Sequence, residues 1–583
     1  MKTMKSRLLS VLLVSVLLIG TCLAPVASAV LDIKDKECPL IVIKGFAAVP
    51  LVKNAGTADE AVVFPTESND SEAVLKEVIA AIVKGSYKKI ADNSWAEFAK
   101  EIIPVFTDMF GDLAYNLDGT PVYPEITNKT YDTSLAGYTS DEKEEVASII
   151  GVLYGKELKD ELVYSFGYDW RESPIDSAAE LNTFIEKVKA ETGIDQVNIY
   201  AHSMGAAVAL AYLSEYGAAD NYSSVNNVVF ASPAWQGTSL IGNAFTGNIS
   251  VNGITLESYL VQLSKGSSVA YLASLFISTL ATLNGLTEDY VPALNRMING
   301  MLPTLYSDLV MPIFAGMPGI WSMIPADYYD DAKVFMFPDG MDAGFENKLD
   351  AYNAIQKNAK SIISDAMSNG VRFADICAYN KQIVPIAGRY CETSDGVIDT
   401  VYSSGGAICS PYLTTFEKDY TQAIYDGHNH VSEGREIDAS TCMFPEQTWF
   451  YRTLDHSGYK ESDGTTDLTM WLLLMYKQFN VYTDAENYPQ FLKYNTFDNK
   501  VEPQSYKDNG MRGDVNNDGK VTTDDARITL QVAARLTTLN GYQYSKAEVT
   551  GDGSITTDDA RLILQAAASL VDLDADPEEA PAA

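Results

Sequence analysis

Apolar and polar positions along this chain first fall into a run of alternating elements. Pro39 to Phe46 (PLIVIKGF) is an apolar, β-branched run ending near a glycine, which predicts a buried strand with a turn behind it. Glu142 to Tyr154 has helical spacing, and Leu162 to Phe166 predicts a second strand. Between Ser177 and Thr192 the positions Ala178, Leu181, Phe184, Ile185 and Val188 share one side of a helix. Val197 to Tyr200 predicts a short strand, Ala206 to Tyr216 a helix, and Val228 to Ala231 a further strand. Strands alternating with helices predict an α/β domain around a mainly parallel sheet.

The pattern then changes. From about Trp235 to Ile376 apolar helical runs dominate, interleaved with Gly, Pro and Met as in Met317-Pro318-Gly319-Ile320-Trp321. This predicts a long insertion, over about 235–376, that forms a helical cap. Strand-like alternation returns at Ile383 to Ala387, followed by an aromatic strand at Thr448 to Arg452 and a helix at Leu468 to Phe479. Around Asn499 to Asn509 the chain turns polar, with Pro503 and Gly510 nearby, which predicts a linker over 501–512 after a domain of residues 30–500. Beyond it Thr522-Thr523-Asp524-Asp525-Ala526-Arg527 recurs as Thr556-Thr557-Asp558-Asp559-Ala560-Arg561. Each copy leads into an apolar helix, Ile528 to Leu536 and Leu562 to Leu570, giving a small module over 513–572. The acidic, Pro/Ala-rich tail 573–583 is expected to fray.

Composition narrows the setting. A chain of 583 residues is too long for one ordinary core, and 46% hydrophobic against 21% charged residues is a globular composition. A net charge of −36 repels phosphate backbones, so nucleic acid is excluded as an expected partner. Lys2, Lys5 and Arg7 precede the apolar run Leu8 to Ile19, and Ala27-Ser28-Ala29 is an A-x-A cleavage site. Residues 1–29 therefore read as a signal peptide, and the mature chain as secreted. Five cysteines remain after cleavage, an odd set without zinc spacing that leaves at least one thiol unpaired within the chain. Gly266 to Thr287 is uncharged and long enough to span a bilayer, but its Ser and Thr residues and Gly285 favour a buried or lid helix.

The candidate chemistry centres on Ala201-His202-Ser203-Met204-Gly205. This is a G-x-S-x-G nucleophile elbow with Ala for the first Gly, preceded by a strand and followed by an Ala-rich helix. A serine attacks only when a base takes its proton, and the chain has 4 histidines. His202 lies on the elbow itself and is expected to point elsewhere. In this context the order is Ser, then Asp or Glu, then His. Asp395, after the strand Ile383 to Ala387, is the expected carboxylate, with Asp399 as the alternative. His456, between a strand and a helix, is the expected base, with His428 and His430 as alternatives. An oxyanion would need two N–H donors, expected from the amides of Met204 and Phe46.

These residues resemble the lecithin:cholesterol acyltransferase-like family. Tyr168-Asp169-Trp170-Arg171 resembles its YDWR segment, Ala201 to Gly205 its AHSMG elbow, and Pro39 to Phe46 its strand and oxyanion turn. Asp395-Gly396-Val397 resembles its catalytic Asp-Gly turn and Trp321 to Pro325 its lid region, whereas the histidine region departs from the family pattern. The resemblance implies an α/β-hydrolase fold and acyl-ester hydrolysis or transfer (a lipase, esterase or O-acyltransferase) through Ser203, Asp395 and His456. Without it, Tyr168 to Arg171 reads as a packed Trp beside an Asp–Arg pair.

The C-terminal repeat has the pattern of an EF-hand-like calcium loop. Asp514, Asn516, Asp518, Lys520 (through its carbonyl), Thr522 and Asp525 hold the ligand positions of the first loop, with Gly519 at the turn. The second loop offers Glu548, Thr550, Asp552, Ser554, Thr556 and Asp559. Duplicated loop–helix units of this kind resemble dockerins. That resemblance implies an all-α module with two bound Ca2+ ions and a cohesin partner on a scaffoldin or cell-surface protein. Thr523, Asp524 and Arg527, with Thr557, Asp558 and Arg561, would then face cohesin. A scaffold-bound esterase acting on plant polysaccharide and a non-catalytic binding subunit are the other readings of the same sequence.

Overall fold

Eight strands make the main sheet: β1 (Leu40–Ile43), β2 (Val163–Phe166), β3 (Val197–His202), β4 (Val225–Ala231), β5 (Arg372–Tyr379), β6 (Thr448–Arg452), β7 (Phe491–Asn495) and β8 (Lys500–Pro503). In this computed structural model they lie in the order β2-β1-β3-β4-β5-β6-β7-β8. Every neighbouring pair is parallel except β7 with β8. The structure describes residues 38–57, 59–65, 94–140, 159–250, 290–383, 393–412, 414–417, 420–456, 463–495, 500–504, 512–516, 520–534, 546–547, 549–550 and 555–571, with a few single or paired positions between them. The expected signal peptide, the run Gly266 to Thr287 and most of the helix Glu142 to Tyr154 lie outside the described residues. Among the described residues no helix is long and apolar enough to cross a membrane.

The strands are apolar on both faces because both faces are covered. Ile41, Ile43, Ile199, Val228 and Phe230 enter one core, while Leu40, Val42, Tyr200, Val229 and Ala374 enter the other. The first core is closed by α1 (Pro174–Thr192), α2 (Gly205–Tyr212), α3 (Ala343–Lys357) and α4 (Ala359–Ser368), and the second by α5 (Asp463–Leu473). The start of α1 is a sequence signal. Ser173 caps the Ile175 amide, Pro174 occupies the first turn, and Gly193 ends the helix at φ 68°.

Three expectations change here. The strand that follows the helical insertion is β5, and it begins at Arg372, inside the region expected as cap. Residues 384–387 of the strand expected at Ile383 to Ala387 lie outside the described residues. Burial on both faces removes the alternation by which a half-exposed strand is recognised, and Asp375 interrupts the apolar run. Second, α3 and α4 pack against α2 and β5 as part of the helical layer rather than standing over the sheet as a cap. Third, 501–504 is not linker. β8 pairs with β7, and buried Gln504 donates to Glu436 and accepts from the Tyr379 hydroxyl. Its polar composition is that of an edge strand, where Pro503 is tolerated.

The turn after β2 braces the end of β1. The Tyr168 hydroxyl donates to Lys44 O at 2.9 Å, and the Trp170 ring packs edge-on against Phe46 at 4.5 Å between centroids. Buried Arg171 pairs with Asp169 at 2.6 Å and donates to Ile126 O at 2.7 Å. The Gly319 amide donates to Arg171 O at 2.8 Å, so Trp321 to Pro325, expected as lid, starts from a buried contact with this turn; Trp321 itself lies in the first core. Half-buried Glu172 has its carboxyl pushed up to about 7 by burial and by the carboxylates of Asp169, Glu180 and Asp176. A carboxyl raised on folding loses stability as pH rises from its unfolded value toward 7. Glu172→Gln is therefore expected to raise the melting temperature at pH 8 by on the order of 2–4 °C, a gain that shrinks toward pH 4.5. Thermal unfolding at the two pH values checks this.

Candidate active site

The site is built at the carboxyl ends of β1, β3 and β6. Ser203 occupies the turn between β3 and α2 at φ 57°, a left-handed conformation unusual for a residue with a Cβ. Its amide donates to Ala231 O at 3.1 Å, and its carbonyl accepts from Ala206 and Ala234. Two glycines make room. A Cβ on Gly205 would stand 2.5 Å from Ile43 O and 2.7 Å from Lys44 O. A Cβ on Gly45 would stand 2.7 Å from Ser203 Cβ. The elbow thus lies directly against the end of β1, a contact only residues without side chains permit.

Three expected residues meet there. His456 Nε2 lies 3.0 Å from Ser203 Oγ, and its Nδ1 lies 2.7 Å from Asp395 Oδ2. A carboxylate only accepts, so Nδ1 carries the proton and Nε2 is left to accept from the Ser203 hydroxyl. Asp395 is buried. Its Oδ1 accepts from the amides of Val397 and Ile398, and its carbonyl accepts from the His456 amide at 2.9 Å. Burial is the largest influence on this carboxyl and would raise it. The charge and hydrogen bond of His456, with the Ile398 amide and the Ser232 hydroxyl, together hold it below the ordinary carboxylate value.

The alternatives lie elsewhere. Asp399 accepts from the Ser239 amide and hydroxyl at 2.7 and 2.6 Å, anchoring the chain after β4. His430 is fully buried between Gln490 and Asp426, and His428 stacks on Tyr482. Neither histidine contacts Ser203 or Asp395. Phe46 stands one residue beyond Gly45, and Met204 is buried directly after Ser203. Neither of their amides donates a hydrogen bond to a described residue.

Two participants were not expected. His202 Nε2 donates to His456 O at 2.8 Å, so the elbow histidine braces the loop that carries the third member of the cluster. Ser232, at φ 43° just past β4, reaches Asp395. His202 was visible in the motif but had no partner until the loop was folded over it, and Ser232 stood in a plain Ala-Ser-Pro turn.

In the C-terminal module α6 (Thr523–Ala533) and α7 (Thr557–Ala567) pack together over Val515, Ala526, Ala547, Val549 and Ile563. Thr522 and Thr556 cap the two helices, each in a reciprocal capping box with Asp525 or Asp559. Asp525 Oδ1 accepts from the amides of Val515 and Asn516, and Asp559 Oδ1 from those of Val549 and Thr550. Asp514 is buried, while Asn516, Lys520 and Thr550 are at least partly exposed. Asp518, Glu548, Asp552 and Ser554 lie outside the described residues. Thr523, Asp524 and Arg527 are exposed at positions matching Thr557, Asp558 and Arg561, and each arginine pairs with the aspartate of its own copy. The thiols of Cys377 and Cys442 are buried, and Cys391 lies outside the described residues.

His202→Ala leaves the His456 carbonyl without its donor. The expected cost is about 1–3 kcal/mol of stability in urea unfolding.

Comparison with known proteins bears on the fold. The family model for the alpha/beta hydrolase fold matches residues 137–248, the stretch from before β2 to beyond β4 with the Ser203 elbow inside it. No curated protein matches the chain. Among solved structures a chain of the Tle4–Tli4 complex is similar, at 12% identity and a TM-score of 0.30 over 75% of this chain and 98% of that one. With its mostly parallel eight-stranded sheet and the matched elbow segment, this chain has the α/β-hydrolase fold.

Proposed function

We propose that the protein is a secreted serine hydrolase that cleaves or transfers the acyl group of carboxylic esters, and that its C-terminal module is a dockerin which ties it to a cohesin-bearing scaffold. The observation that carries the enzymatic reading is the continuous line from Asp395 Oδ2 to His456 Nδ1 at 2.7 Å and from His456 Nε2 to Ser203 Oγ at 3.0 Å.

In this reading Ser203 Oγ attacks the ester carbonyl as His456 Nε2 takes its proton. Asp395 holds the imidazole in the tautomer that can accept it and stabilises the imidazolium that forms. The undonated amides of Phe46 and Met204 receive the developing oxyanion. The imidazolium then returns its proton to the leaving alcohol. Water or an acceptor alcohol attacks the acyl-serine by the same route in reverse, and Ser203 is restored.

For the second module, Asp514, Asn516, Thr522, Asp525, Thr550, Thr556 and Asp559 supply only oxygen donors, the chemistry a hard cation takes. The backbone amides around Asp559 hold its carboxyl below the ordinary value against the opposing effect of burial, so a charged donor stands at the end of that loop. Bound Ca2+ would cross-link each loop to the start of its helix. The paired exposed sets around Arg527 and Arg561 give the module two equivalent faces for a cohesin.

A fluorophosphonate probe is expected to label the wild type and not Ser203→Ala; equal labelling would sink the serine-enzyme reading. Asp395→Asn is expected to lower kcat about 10⁴-fold, measured on p-nitrophenyl esters. The same assay run across acyl lengths separates a lipase from an esterase that deacylates polysaccharide. Cohesin binding by the full chain is expected to disappear in EDTA and return with Ca2+.

A further inference from the structure

His428 and His430 take part in a second polar cluster. Its ligand-type atoms come from Asp426, His428 and Glu446, and one atom from each lies within 4.8 Å of the other two. Glu446 lies two residues before β6 and His456 follows that strand, so the cluster and the Ser203 site lie beyond opposite ends of it, separated by about 15 Å or more.

The cluster is held in place from beneath. Fully buried His430 bonds Asp426 Oδ2 at 3.0 Å through Nε2, and its Nδ1 donates to Gln490 Oε1 at 2.9 Å. Gln490 in turn donates to the carbonyls of Pro445 and Thr448, on either side of Glu446. Tyr482 packs its ring on His428 at 4.3 Å and places its hydroxyl 3.1 Å from His430 Nε2. The Val481 amide donates to Glu446 O at 2.9 Å. The three side chains thus come from two separate segments, one tied to Tyr482 and, through His430, to Gln490, the other to Val481 and Gln490.

The front of the cluster is open. Neither the His428 ring nor the Glu446 carboxylate makes a hydrogen bond to another described residue, and the His428 nitrogen nearest Asp426 stays 3.8 Å away. Two carboxylates are held near one another with one exposed imidazole beside them. His430, bonded to Asp426 Oδ2, offsets part of their mutual repulsion, and a cation among the three would offset more of it. One nitrogen and two oxygens suit a borderline metal such as zinc, whereas calcium takes six to eight oxygens. Ligands about 2.0–2.1 Å from a tetrahedral zinc stand roughly 3.4 Å apart, so side-chain rotations of about an ångström close this set.

We propose that Asp426, His428 and Glu446 bind one divalent transition-metal ion of the zinc type. The ion clamps the segment between Asp395 and β6 onto the start of β6, and water completes its coordination. It takes no part in chemistry at Ser203.

The test uses the full chain, stripped with chelator and then saturated with Ca2+ so that the C-terminal loops are filled. Titration with Zn2+ is expected to show one more equivalent bound by the wild type than by His428→Ala, and Glu446→Gln is expected to bind that equivalent at least about 10-fold more weakly. Zn2+ is also expected to raise the melting temperature of the wild type and not that of His428→Ala. Both variants alter exposed or half-exposed side chains, and circular dichroism establishes that they fold. Equal Zn2+ stoichiometry and affinity in the wild type and both variants would overturn the proposal, as would a wild type that binds no Zn2+ beyond its calcium loops.

Discussion

The close approach of the Ser203 turn to the end of β1 is the constraint on which the site depends. Ser203 takes a left-handed backbone conformation, and the turn can press against Ile43 and Lys44 only because Gly205 and Gly45 carry no Cβ. That approach puts Ser203, the turn after β1 and the start of α2 within one small volume. A side chain at either glycine would push the turn and β1 apart before any reacting group was touched.

The rest of the domain holds that volume still. Tyr168 and Trp170 fix the turn after β1 from one side, with the buried Asp169–Arg171 pair securing them. A buried ion pair of this kind contributes little net stability, because desolvation offsets its attraction, but it permits one arrangement of the turn and penalises others. From the other side the Asp395 loop and the His456 loop are joined twice, through the side chains and through the His456 amide. His202 ties the His456 loop back to the elbow. Asp395, His456 and His202 are therefore tied through backbone groups as well as side chains, and the geometry does not rest on side-chain rotamers alone.

The C-terminal repeat reaches order by a different route. It has a small core, and its two aspartates at the helix starts gather backbone amides that would otherwise be unsatisfied. The same bonds occur in both copies because the same residues recur, so a local motif is enough to specify each half. Pairing of α6 with α7 then needs only the apolar side that each helix already has.

The sequence by itself determined the elements whose causes are local. Strands β1 to β4, helix α1 with its Ser173 cap and Gly193 stop, and the elbow all follow from neighbouring residues, as does the repeat. It also narrowed the candidate carboxylate and imidazole to short alternatives by chain order. Only the tertiary structure brings one of each to Ser203. Asp395 and Asp399 stand four residues apart with similar neighbours, and they differ only in which distant groups, His456 or Ser239, fold against them. The same holds for His456 against His428 and His430, and for His202, whose partner lies across the sheet. Strands β5 and β8 were hidden for a related reason. Burial on both faces erases the period of two in β5, and an edge position makes β8 polar enough to resemble a linker. Local propensity and pattern are written in adjacent residues, whereas a contact such as that of Ser203 with His456, or a strand's surroundings, depends on residues far away in the chain.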